Sequence, residues 1–153
     1  MKKFELTSES IVNNFGKKLF RIKALVEFGN VKEGELGGFV EKEENLSHEG
    51  NAWVYGNARV SGNAWVYGDA KVCGDAWVCG NADYATVKGF GTEYRTTTFF
   101  KCKDGIVRVK CGCFYGDLEE FRNQVKNTRK GKIAEEYLMI ADLMEKHFKE
   151  GRL

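Results

Sequence analysis

From Gly50 to Ala82 the chain repeats one six-residue phrase, GNAWVYGNARVSGNAWVYGDAKVCGDAWVCGNA. Glycine recurs at Gly50, Gly56, Gly62, Gly68, Gly74 and Gly80, alanine two positions after each, and valine at Val54, Val60, Val66, Val72 and Val78. A fixed period of this kind is the mark of stacked repeats, in which no unit can bury its apolar face without a neighbour. Alanine and valine are two apart, so in an extended segment both point to one side. Trp53, Arg59, Trp65, Lys71 and Trp77 lie between them and point to the other. Each Gly-Asn or Gly-Asp pair admits positive φ and lets the chain turn a corner after every short strand.

The spacing of an aliphatic residue and a small one four positions later, as at Val54 and Ala58, resembles the hexapeptide-repeat proteins that form a left-handed parallel β-helix. The resemblance implies three strands and three corners per coil, so units eighteen residues apart become neighbours. Trp53 then lies beside Lys71, and Arg59 beside Trp77. Such an alternation of cation and ring is worth roughly 0.5–1 kcal/mol at exposed sites. A flattened two-sided coil would instead stack Trp53, Trp65 and Trp77 in one ladder.

The flanks follow other periods. LFRIKA alternates apolar and polar residues after an NNFGK turn, a hairpin pattern, and the glycine pairs and charges of VKEGELGGFVEKEENLS lead into the repeat. Beyond Ala82, the KDG turn joins two β-rich runs, about 93–102 and 106–111, as a second hairpin. Asp117 with Glu120 three positions on reads as a capping box before a helix whose face carries Leu118, Phe121 and Val125. A second helix over about 133–148 presents Ile133, Tyr137, Ile140, Ala141, Met144 and Phe148 at helical spacing. The expected fold is mainly β with C-terminal helices: a short left-handed parallel β-helix between an N-terminal β-hairpin and a C-terminal β-hairpin plus two helices. At 153 residues this fits one compact domain over 1–153, with a β cap at 1–37, repeats at 38–88 and the hairpin and helices at 89–153.

Charge narrows the partners little. The 24 basic and 22 acidic residues are spread through the chain, so no strong field calls for nucleic acid. MKKFELTSES lacks the apolar run of a signal peptide, no later stretch would span a membrane, and a cytoplasmic protein is expected. Five cysteines without an export signal point to reduced thiols. Cys102, Cys111 and Cys113 could gather round zinc, but no C-x2-C knuckle or fourth ligand accompanies them. Cys111 and Cys113 on one side of a strand read as small core residues.

Hexapeptide-repeat acyltransferases use a histidine base. His48 is the one histidine near the repeat and occupies the slot held by valine in later units, so it reads as an irregular capping residue. His147 sits in the charged last turn of the second helix, a favourable place for a cation. No cofactor is expected. Neither a P-loop nor a nucleophile elbow occurs.

What remains is the outward column. Trp53, Tyr55, Arg59, Trp65, Tyr67, Lys71 and Trp77 are the candidate partner-binding residues, because Trp, Tyr and Arg most often anchor interfaces. The order of parts also resembles small bacteriophage and prophage proteins in LFRIKALVEFGNVKEGELGGFVE, in the GNAxV repeats and in KCKDGIVRVKCGCFYGDLEEF. The expected function is a non-enzymatic phage or prophage accessory protein that binds a host or phage protein in the bacterial cytoplasm, inhibits an antiviral defence and self-associates. A minimal or degenerate acyltransferase built on His48 and a nucleotide sponge built on Arg59 and Lys71 are the alternatives.

Overall fold

The computed structural model describes residues 2–149. The chain divides into two compact units, Met1–Asn81 and Ala82–Leu153.

In the first unit, β1 (Phe4–Val12) and β2 (Lys18–Ala24) form an antiparallel hairpin. Its turn is fixed by Asn13, whose Oδ1 accepts the N–H groups of Phe15 and Lys17, both at 2.9 Å. β3 (Leu36–Val40) adds antiparallel to β2. The repeat contributes four two-residue strands, β4 (Trp53–Val54), β5 (Arg59–Val60), β6 (Lys71–Val72) and β7 (Trp77–Val78).

The pairing distance of eighteen residues is present: Trp53 pairs with Lys71 and Val54 with Val72, while Arg59 pairs with Trp77 and Val60 with Val78, all parallel. The left-handed parallel β-helix with separate flanking hairpins is not what these strands assemble into. β5 and β7 continue the hairpin in one mixed five-stranded sheet of order β1-β2-β3-β5-β7, and β4 and β6 stand apart as a two-stranded sheet. Leu46 and Val66 make an isolated bridge outside both. The reason lies in the corners. A glycine turn every six residues leaves two residues per strand, so the longer β1, β2 and β3 supply most of the ladder and absorb the repeat.

The inner column is as the repeat dictates. Ala52, Ala58, Ala64, Ala70 and Ala76 and the five valines are all buried. At the corners Gly50 and Gly62 have φ of 70° and 61°. A Cβ on Gly50 would also stand 2.7 Å from the Gly68 carbonyl oxygen, so both conformation and spacing demand glycine.

The second unit is a four-stranded antiparallel sheet rather than a hairpin. β8 (Tyr84–Val87), β9 (Thr97–Lys101), β10 (Val107–Cys111) and β11 (Phe114–Asp117) pair in sequence order. The expected pair is there as β9 and β10; its two outer neighbours were hidden because DYATV and FYGD are too short to show alternation. α1 (Leu118–Thr128) opens on the capping box, with Asp117 Oδ1 accepting the Glu120 N–H at 2.8 Å and Glu120 Oε1 accepting the Asp117 N–H at 2.9 Å. α2 (Gly131–His147) buries Tyr137, Ile140, Ala141 and Met144. These meet Phe99, Val109, Phe121 and Val125 in one apolar core. Arg122 of α1 bonds Glu119 on its own helix and ties the two helices together through Asp142 and Glu145.

A coarser statement of the fold therefore stands: mainly β, with two C-terminal helices. No helix among the described residues is long and apolar enough to cross a membrane.

Candidate docking surface

The seven outward residues of the repeat meet different fates. Trp53 is 1% exposed and is not part of any surface. Phe28 meets its indole edge-on at 5.3 Å between centroids, and β3 lies so close that a Cβ on Gly37 would stand 2.8 Å from Trp53 Cζ2. Trp53 Nε1 is the buried side-chain polar atom without a hydrogen-bond partner among the described residues. Burying an indole N–H unpaired costs about 1–3 kcal/mol, so the packing of the ring has to outweigh it. The expectation that Trp53 faces outward fails because β3 and the Phe28 turn cover the outer side of its strand.

Lys71, in register with Trp53, sends its ammonium to the Asn51 carbonyl at 2.6 Å. The Arg59 guanidinium lies over the Trp77 ring at 5.2 Å, the expected neighbour pair, and both side chains are half-buried. They border a crevice of about 30 Å³ against Phe15 and Asn14 of the hairpin tip, which holds a water and nothing larger. Tyr55 is half-buried as well.

Trp65 and Tyr67 remain. Their rings stack at 4.4 Å with 22° between planes, yet they are 49% and 53% exposed. The stack presents two flat faces already held in one arrangement, so little side-chain entropy is left to lose when a partner covers them.

Trp65 also borders an open cleft of about 640 Å³, together with Glu43, Glu44, Leu46, Ser47 and His48. The segment EKEEN folds here because Asn45, fully buried, answers three backbone groups at once. Its Oδ1 accepts the Lys42 N–H at 2.9 Å, and its Nδ2 donates to the carbonyls of Gly62 and Ala64 at 3.2 and 2.8 Å. Asn45 carried no signal in the sequence beyond its place before Leu46.

His48 has the acidic neighbour that the sequence did not reveal. Its Nδ1 accepts the Lys3 N–H at 3.0 Å, which leaves the ring proton on Nε2, facing Glu43 Oε2 at 2.7 Å. Its ring stacks on Phe4 at 4.3 Å. The hydrogen bond from His48, joined by Lys2, holds the Glu43 carboxyl below the usual carboxylate range. A general base needs a free ring lone pair facing substrate. The Nδ1 lone pair of His48 is taken by backbone, so the residue fastens the N-terminal strand to the repeat.

The cysteines are dispersed by the turn between β10 and β11. Gly112 has φ of 58°, which puts Cys111 at the end of one strand and Cys113 in the turn rather than side by side on a strand. Cys102 is buried and its thiol is pushed up by that burial. Among the described residues no three His, Cys, Asp or Glu side chains form a cluster able to hold a metal ion. No protein-family model matches the chain, and no curated protein is significantly similar to it.

Proposed function

We propose that the protein is a non-enzymatic docking protein that holds a macromolecular partner on the Trp65–Tyr67 stack and the cleft beside it. The observation that carries this is the stack itself: two large rings fixed against each other, half exposed, in a chain that buries the indole of the identical phrase twelve residues earlier. Aromatic anchors of this kind supply a large share of binding energy at interfaces. The exposed Glu44 on the cleft wall favours a partner segment that brings basic side chains, which speeds and orients encounter.

The phage or prophage origin and the blocking of a host defence in the cytoplasm belong to the same proposal; they are supported by the likeness of LFRIKALVEFG, the GNAxV repeats and KCKDGIVRVKCGCFYGDLEEF to small phage proteins. Catalysis by His48 is disfavoured by its two occupied ring nitrogens. Nucleotide capture by Arg59 and Lys71 is disfavoured by the engagement of the first with Trp77 and of the second with Asn51.

The test is affinity capture from phage-infected bacteria with the wild-type chain and a Trp65→Ala/Tyr67→Ala double variant, followed by mass spectrometry. A partner held by wild type should be lost from the double variant, since removing an aromatic hot spot costs about 2 kcal/mol or more, roughly 30-fold in Kd. Thermal unfolding should be nearly unchanged. A partner held equally by both chains would place the interface elsewhere.

A further inference from the structure

The second unit holds a cavity that the docking surface does not use. It is open to solvent and measures about 390 Å³, within the range of small-molecule sites. Its apolar lining includes Phe114, Phe121 and Val125, and its polar lining Arg95, Arg129 and Tyr137. No carboxylate lines it among the described residues.

Both guanidiniums are placed by backbone. Arg129 is the C-cap of α1, its N–H bonded to the Val125 carbonyl at 2.8 Å, and its side chain makes no ion pair among the described residues. A cation there suits the helix C-terminus, but the helix dipole alone does not require aromatic rings in the same cavity. Arg95 follows Tyr94, which has φ of 53° and is the one non-glycine residue with positive φ among those described. Such a conformation costs about 1 kcal/mol or more and persists only where the surroundings impose it. The Arg95 guanidinium then lies against Gly112, where any Cβ would collide with it, and Glu93 steadies it from outside at 2.5 Å. Both arginines border the cavity together with the buried Tyr137.

Two guanidiniums on one cavity, one of them without an ion pair among the described residues, beside the Phe114 and Phe121 rings form a recognisable chemistry. The cations match a carboxylate or phosphate oxygen pair, and the rings match a flat apolar body. We propose that this cavity binds a small organic anion, a carboxylate or phosphate monoester carried on an aromatic or similarly flat group.

The protein carries its own reporter. Cys113 is exposed and lines the cavity, whereas Cys79 is exposed in the first unit. Alkylation by iodoacetamide, read by mass spectrometry, should slow about fivefold or more at Cys113 in the presence of phenyl phosphate or benzoate, and not at Cys79. Calorimetry with the same probes should show saturable binding, with inorganic phosphate and benzyl alcohol at least about tenfold weaker because each offers one half of the recognition. The better of phenyl phosphate and benzoate identifies the head group. Arg129→Gln should raise Kd about tenfold with unchanged circular dichroism. Arg95→Gln should do the same, and if it disturbs the β10–β11 turn, Arg129→Gln decides alone. No saturation by either anion at about 10 mM, equal affinity in Arg129→Gln, or benzyl alcohol binding as tightly as the anions would overturn the proposal.

Discussion

Replacing Lys3 by methionine should change how stability responds to pH. Lys3 is 3% exposed; its ammonium donates to the Ala52 and Gly50 carbonyls at 2.7 and 3.3 Å and lies 4.6 Å from the centre of the Phe28 ring. Burial, and then the charge of Lys71, against a smaller opposing pull from Asp69, bring its pKa from 10.5 down to about 8. At about 1.4 kcal/mol per decade of proton affinity this is about 3 kcal/mol. That figure is a ceiling, since the Lys3 contacts adjust when the proton leaves. Between about pH 8 and 10.5 the unfolded chain binds a proton that the folded chain has released, so stability rises with pH through that window. It is complete above 10.5 and lost as pH falls through 8. Cys102 and Tyr137, raised by burial, act in the opposite sense, since the folded state keeps their protons longer and loses stability as pH climbs. Their contributions cancel when the variant is compared with wild type. Methionine fills the same space beside Phe28 but leaves two carbonyls without a donor, at about 1–3 kcal/mol each, which offsets the charge it removes near pH 7. Urea unfolding followed by tryptophan fluorescence at pH 7, 8, 9 and 10 gives both free energies. The wild type should gain on Lys3→Met by up to about 3 kcal/mol across the series. A difference that stays flat with pH would refute the argument.

Gly37→Ala should be far more damaging than an ordinary glycine change, because its methyl group would stand 2.5 Å from the Val54 carbonyl oxygen, 2.7 Å from Ile22 Cγ1 and 2.8 Å from Trp53 Cζ2. Overpacking of this severity costs about 3 kcal/mol or more, visible as a fall in Tm and a red shift of tryptophan emission. Asp117→Ala removes the N-cap oxygen of α1 and should cost about 1 kcal/mol, measured by chemical denaturation, with the docking surface unaffected.

Much of this molecule could be read from the chain. The alanine and valine column is buried because its period of two within each strand and six between strands leaves it no other side to occupy. The corner glycines, the Asp117–Glu120 capping box and the buried face of α2 are equally local, each resting on residues within one or two turns of each other. The partner set of β5 was not local. Nothing within RVSG says whether its strand continues a coil or joins the hairpin, since both choices satisfy the same hydrogen bonds and bury the same Val60. The aim of the His48 ring at Glu43, five residues away, was hidden for the same reason: the Lys3 N–H that orients the ring comes from forty-five residues away. The cavity around Arg129 needed α1, α2 and the β10–β11 turn together.

The phrase GNAWVYG marks the boundary between the two kinds of information. It occurs identically at Gly50–Gly56 and at Gly62–Gly68, and in both copies the sequence alone places Ala and Val inside and Trp on the opposite side. Tertiary structure then separates them: β3 and Phe28 close over Trp53, while Trp65 finds Tyr67 and a cleft. Strand geometry sets which way a side chain points, and chain segments distant in sequence decide whether it is covered there.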